Sequence, residues 1–324
     1  MVLLYMNDNQ FTIGLIKGKI INDLNKHREI IKLNGTYIEN CNIDDIICSI
    51  LVDTPWLFFV DEWKWESTGQ RINIFPKYKY TQKQIEELRE RCQQEVGIIL
   101  SRLKEDKGVN GIAKHLHDIL IRNIKYEKQN NYEVHTIIGP LLKRKCVCDG
   151  FSKLYKLILD ELGIENYLIY GKGFVHTFSD SEEHAWNLVK IDNDFYHVDV
   201  TYDATLSMHD YIRYDYFLIG DSLISMDHYW NRSVIPKAAD NKFFEYQKSK
   251  YVVASGAELE QKIHERIREN CNDFILKLPQ NMDSCFIQKI VLKCTLDAMA
   301  AKGVGGEVFV NVNSTQNIIY VRVR

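Results

Sequence analysis

Apolar positions along the chain recur with two periods, and these periods predict its elements. From Gln82 to Leu103, Ile85, Leu88, Cys92, Val96, Ile99 and Leu103 fall at helical spacing behind a capping Thr81, which predicts one long amphipathic helix. A charged break, Lys104 to Gly108, separates it from a second helix with a stripe of Ile112, Leu116, Ile119, Leu120 and Ile124. A third helix starts at Cys148, buries Phe151, Leu154, Tyr155, Ile158, Leu159 and Leu162, and stops at Gly163. Before Tyr80, strand-like alternation runs over Trp56 to Trp65 and Arg71 to Tyr80, with a short helix around Ile43 to Leu51. After a strand at Tyr167 to Tyr170, the branched and aromatic run His184 to Ile191 and its return, Phe195 to Thr201, read as a hairpin turning at Asp192-Asn193. The last segment offers a short strand (Tyr251 to Ala254), a helix capped by Ser255, a strand (Phe274 to Leu278), a helix (Cys285 to Ala301) and two closing strands. The pattern is α+β, divided into a mixed N-terminal module (1–80), a core (81–240) and an accessory α/β module (241–324).

Composition narrows the class. Hydrophobic residues make up 45% and charged residues 26% of 324, an ordinary globular balance that excludes disorder. With 41 basic against 44 acidic side chains the net charge is −3, so no global field favours nucleic acid or an anionic membrane surface. No apolar run approaches the roughly 20 residues that span a bilayer. Met1 to Tyr5 is apolar but lacks a basic n-region, so the expectation is a cytoplasmic protein. Its 8 cysteines have no framework spacing and are expected to remain thiols.

One of those thiols stands apart. Cys148 opens a buried helix, where unpaired N–H groups and the positive end of the helix dipole favour thiolate and can hold an oxyanion. A lone cysteine more often merely packs. The hairpin changes that weight: with Asp192 and Asn193 as loop residues, Ile191 faces Asp194, Trp186 faces Asp199 and His184 faces Thr201, which makes His184 and Asp199 diagonal neighbours on one face. A slip of one residue would send them to opposite faces. An imidazole backed by a carboxylate can take a proton from a thiol, the cysteine form of the triad arrangement.

The residues Lys145-Cys146-Val147-Cys148-Asp149-Gly150-Phe151, then His184-Ala185-Trp186-Asn187, then Tyr196-His197-Val198-Asp199-Val200-Thr201-Tyr202-Asp203 closely resemble the core of the transglutaminase-like superfamily. The likeness runs from about Gln82 to Pro236. Pro55 to Tyr80 is similar to the leading module of bacterial members, and Tyr211 to His228, with Asp227-His228, to their trailing part. The resemblance implies a papain-like α+β core, with the nucleophile on a helix packed against an antiparallel sheet. It matches Cys148 to the nucleophile, His184 to the general base and Asp199 to the orienting carboxylate, with Trp186 and Asp203 at recurrent motif positions. Tyr202 stands where tryptophan is frequent. Cys146 is not required by the family and reads as a packed thiol, because bridging it to Cys148 would be strained.

The expected function is attack on an amide or peptide bond of a protein or peptide substrate through a thioester, followed by hydrolysis or by acyl transfer to an amine. The alternative is a catalytically inactive binding or scaffolding member. A zinc site of Cys146, Cys148, His176 and His184 is disfavoured by the short Cys-x-Cys spacing and the lack of a second pair, and it leaves Asp199 without a reason. There is no Gly-rich phosphate loop or Asp-rich calcium loop, so no cofactor or metal is expected. Lys143 to Lys145 reads as a solvated basic loop, and His115, His117, His135, His209 and His264 as surface or packing residues.

Overall fold

The structure, a computed structural model, describes residues 8–34, 42–68, 71–103, 108–128, 131–174, 181–208, 210–279 and 284–324. Cys41, His176, His209 and most of the charged break at 104–108 lie outside the described residues. The architecture is α+β, and the chain divides into two units, Met1–Leu168 and Ile169–Arg324.

The first unit opens with α1 (Asp8–Asn25) and β1 (Ile31–Asn34), which the apolar pattern does not announce, then α2 (Ile43–Asp53), β2 (Val60–Thr68) and β3 (Arg71–Tyr78). The sheet order is β1-β3-β2, all antiparallel, and the buried alternates Ile31 and Leu33 pair with Ile74 and Ile72. The strand expected from Trp56 begins only at Val60, because Pro55 opens a turn of 3-10 helix through Leu57. α3 (Gln82–Leu103) has the expected bounds. Thr81 and Gln84 close its start as a capping box: Gln84 N donates to Thr81 Oγ1 (3.4 Å), and Thr81 N donates to Gln84 Oε1 (2.9 Å). α4 (Val109–Asn123) buries Leu116, Ile119 and Leu120, and His117 with them. β4 (Lys125–Tyr126) pairs parallel with β5 (Lys145–Cys146), which leads directly into α5 (Cys148–Glu161). α5 is the most buried helix of this unit and is ended by Gly163 at φ 68°. The basic run before it is tied down: Lys143, Arg144 and Lys145 face Glu133, Glu95 and Glu127, at 4.0, 2.5 and 3.1 Å.

The division between units falls within β6 (Asn166–Phe174). In the second unit follow β7 (Ser181–Ile191), β8 (Asp194–Val198), α6 (Val200–Leu206), β9 (Phe217–Ile219), α7 (Asp221–Ile224) and β10 (His228–Trp230), with sheet order β10-β6-β7-β8-β9. The hairpin register is the expected one, Ile191 opposite Asp194 and Asn187 opposite Val198, with Asp192 at φ 56° in the turn. The returning strand is shorter than expected. It ends at Val198, and Val200 to Leu206 coil into α6, so the pairings of Trp186 with Asp199 and His184 with Thr201 are not made. Beyond it, α8 (Gly256–Arg268), β11 (Asp273–Lys277), α9 (Ser284–Lys302), β12 (Val308–Asn313) and β13 (Ile318–Val323) enclose a core that includes Val253, Leu259, Ile263, Phe274, Val291 and Ile319. Ser255 caps α8 as expected, whereas the strand expected at Tyr251 to Ala254 is a single bridge, Val252 to Lys277. Among the described residues no helix is long and apolar enough to cross a membrane.

Candidate active site

Cys148 belongs to the first unit, His184 and Asp199 to the second. Cys148 is the first residue of α5, half-buried, and follows an extended Val147 whose side chain makes no cap, so no side chain occupies the cap position of this helix. The local chain is held by a close approach. A Cβ on Gly150 would stand 2.5 Å from Cys146 Cβ and 2.6 Å from the Val134 carbonyl oxygen, so only glycine lets α5 start against β5. Cys146 is fully buried, and burial pushes its thiol far above the ordinary range; the Cys148 sulfur nearby acts in the same direction. Cys146 is thus the packed thiol of the pair, as its sequence position suggests.

His184 sits on β7 with its Nε2 2.7 Å from Asp199 Oδ2. Both are buried, at 7% and 0% exposure. The contact is made by a helix cap and not by continued strand pairing. Asp199 is the N-cap of α6, its Oδ1 accepting the backbone N–H groups of Thr201 (2.9 Å) and Tyr202 (3.0 Å), which turns Oδ2 toward the histidine. Since Nε2 meets the carboxylate, the Nδ1 edge of the ring is the one directed away from it. The Tyr202 and Trp186 rings flank His184, with centroids at 4.7 and 5.9 Å. A Cβ on Gly173 would run into the Tyr202 hydroxyl and stand 3.4 Å from His184 Cγ, so this wall too requires glycine.

A third group joins them that the sequence motifs do not assign. His228 Nε2 lies 3.0 Å from the same Asp199 Oδ2, and its Nδ1 lies 2.6 Å from Asp227 Oδ1. The Tyr216 hydroxyl donates to Asp227 Oδ2 (2.5 Å). Burial pushes the Asp199 carboxyl up, but the His184 charge and hydrogen bonds from both histidines outweigh it and hold the group well below the usual carboxylate range. Only the Asp227-His228 dipeptide in the trailing likeness signals this residue, and a histidine 29 positions from Asp199 has no periodic relation to it. The ligand-type atoms of His184, Asp199 and His228 lie within 4.8 Å of one another, a grouping able to hold a metal ion. Here the two Nε2 atoms are engaged by Asp199 Oδ2, so the cluster is accounted for as a hydrogen-bonded set.

Residues 100–200 match the Transglutaminase-like superfamily. Solved structures similar to the chain include a TGase at 15% identity and TM-score 0.31, covering 44% of each chain. A protein from Cytophaga hutchinsonii, provisionally described as a cysteine protease, matches at 15% identity and TM-score 0.29 over 43% of this chain and 61% of its own. An arylamine N-acetyltransferase from Bacillus cereus, described as having a Cys-His-Glu catalytic triad, matches at 16% identity and TM-score 0.23 over 35% of this chain and 49% of its own. The chain therefore spans less than two thirds of the length of each of these. No curated protein matches it.

Proposed function

We propose that this transglutaminase-like chain is a cysteine-nucleophile enzyme that opens an amide or peptide bond of a protein or peptide through a thioester at Cys148. The observation that carries the reading is the buried His184–Asp199 pair at 2.7 Å, with the carboxylate fixed by two backbone N–H groups on its other oxygen. A carboxylate so held is an acceptor for imidazole N–H, and it sets the tautomer and stabilises the imidazolium formed when the ring takes a proton. In the proposed reaction Cys148 Sγ attacks the carbonyl carbon and its proton passes to His184. The first-turn N–H groups of α5 receive the oxyanion. Collapse breaks the C–N bond, His184 returns the proton to the departing amine, and an acyl thioester remains. Water, deprotonated by His184, then attacks the thioester carbonyl and frees the acid and the thiol. An amine acceptor in place of water gives a transferase by the same residues. Hydrolysis is the favoured outcome, since water is always present and no acceptor motif is visible. A reducing compartment such as the cytoplasm suits the six cysteines whose side chains are described, which are free thiols.

The test is incubation with glutamine-containing peptides and with a thiol-directed activity probe, followed by mass spectrometry of the intact protein and its peptides. An acyl adduct on Cys148 is expected, and its absence with every amide, together with unselective probe labelling, would favour a non-catalytic member.

A further inference from the structure

The protonation states of the buried cluster in the second unit follow from groups whose roles are fixed by chemistry. The backbone N–H of Gln316 can only donate, and it donates to Asn313 Oδ1 (3.1 Å), so Asn313 Nδ2 is the donating end of that amide. Nδ2 then donates to Asp215 Oδ2 (2.9 Å) and to the Tyr216 hydroxyl (3.2 Å). With its oxygen accepting from Asn313, Tyr216 directs its own proton to Asp227 Oδ2. From the other side, two backbone N–H groups fix Asp199 Oδ1 as an acceptor, and Asp199 Oδ2 faces two histidine nitrogens. Each carboxylate thus has one oxygen fixed as an acceptor, and His228 stands between the other oxygen of each, with one nitrogen on Asp199 Oδ2 and one on Asp227 Oδ1. A neutral imidazole donates once only. Two N–H donations require the cation, and imidazole is the more basic partner by about two and a half units in water.

We infer that His228 is a positioning residue held as imidazolium, a fixed positive charge that clamps Asp199 and takes up part of the negative charge that would otherwise act on His184. This rests on the proposed function, in which Asp199 orients His184. Besides Asp199 and Asp227, the groups facing His228 are the His184, Tyr202, Tyr216 and Trp186 rings, with centroids at 5.4, 4.7, 5.6 and 4.9 Å. His197 is near enough for the His228 charge to lower its proton affinity. Burial opposes the charge on His228, but the bonds to Asp199 and Asp227 outweigh it, and the ring's affinity for its proton is raised. By partly neutralising Asp199, His228 keeps His184 a weaker base than a carboxylate alone would make it, so His184 more readily returns the proton to the departing amine.

The test uses the full chain carrying Cys148→Ala, so that it does not depend on thiol chemistry, with 15N-labelled histidine and NMR of the ring nitrogens. His228 is expected to keep both ring protons at neutral pH and above it, where an ordinary histidine has lost one. In the same background His228→Gln is expected to raise the His184 midpoint by about one unit, because Asp199 then acts with its full charge. A single neutral tautomer at His228 near pH 7, or a His184 midpoint unmoved in a folded His228→Gln protein, overturns the inference. If His228→Gln does not fold by circular dichroism, the His228 signals of the parent protein decide alone. Cys148 adduct formation, measured separately in the unmodified chain, decides the proposed function.

Discussion

His197 on β8 and His228 on β10 are both fully buried, and each has a carboxylate against one ring nitrogen, yet their other nitrogens meet opposite chemistry. His197 Nε2 lies 2.9 Å from Asp221 Oδ1, while its Nδ1 receives the indole N–H of Trp186 at 3.0 Å. Indole can only donate, so His197 is neutral with its proton on Nε2. His228 has a second carboxylate where His197 has an indole, and so carries both protons. The proton affinities follow: burial lowers that of His197, with Asp221 opposing only in part, whereas the two carboxylates raise that of His228 against burial. A neighbouring carboxylate does not by itself make a histidine charged. The partner of the second nitrogen decides, and here it separates a structural tautomer from a charged clamp on Asp199.

Substitutions at the two carboxylates test the contrast most severely. Asp199→Asn preserves size and the cap but can favour the wrong His184 tautomer, so turnover should drop by up to about 10⁴. Asp221→Asn should leave it within a few-fold. Comparable losses in steady-state assays of the two variants would erase the distinction. In stability the same order is expected: Asp199→Ala takes one of the two carboxylates from the His228 imidazolium together with the α6 cap and costs about 3–5 kcal/mol, while Asp221→Ala removes the acceptor of His197 Nε2 and of the Ala238 N–H and costs about 1–2 kcal/mol. Urea unfolding checks both, and equal costs would argue against a charged His228.

The pH dependence of stability has opposite sign at the two rings. His228, with its folded value raised, stabilises fully below its unfolded value of about 6.5 and loses that contribution as pH rises through the folded value. His197, with its folded value lowered, leaves the unfolded state binding the extra proton, so stability declines as pH falls below about 6.5. Asp199 adds a contribution that is present above about 4 and lost as pH falls through its depressed native value. In urea midpoints followed across pH, His228→Gln should flatten the alkaline side and His197→Gln the weakly acid side. Exchange of these two effects would reverse the assignment. The last change is Trp186→Phe, which leaves His197 Nδ1 without its donor and costs about 1–3 kcal/mol by urea unfolding. It should let the His197 tautomer vary in NMR while His228 keeps its charge.

Much of this arrangement is legible in the sequence where a local rule operates. α3 and α5 are written in their apolar period and end signals, and the hairpin register in the two-residue turn at Asp192. The same sequence misleads at Asp199. Val200, Thr201 and Tyr202 favour strand by type, yet an aspartate ready to take two backbone N–H groups starts a helix there. The His184–Asp199 contact that the register predicts is therefore made by the cap. His228 illustrates what local rules do not reach: its place follows from β10 pairing with β6, His228 opposite Gly173, a long-range choice without a spacing signature. α1 is unannounced because its apolar residues do not gather into one clear stripe.

Under the proposed function Cys148 is an activated nucleophile served by His184 and Asp199. The most direct test of that role is the rate at which each of the 8 cysteines is alkylated by iodoacetamide at neutral pH, resolved by peptide mass spectrometry in the parent chain and in His184→Gln. Cys148 is expected to react fastest and to lose that advantage in His184→Gln, while buried Cys146 stays slow in both. Uniform labelling of the accessible thiols, or a fast Cys148 indifferent to His184, would contradict it.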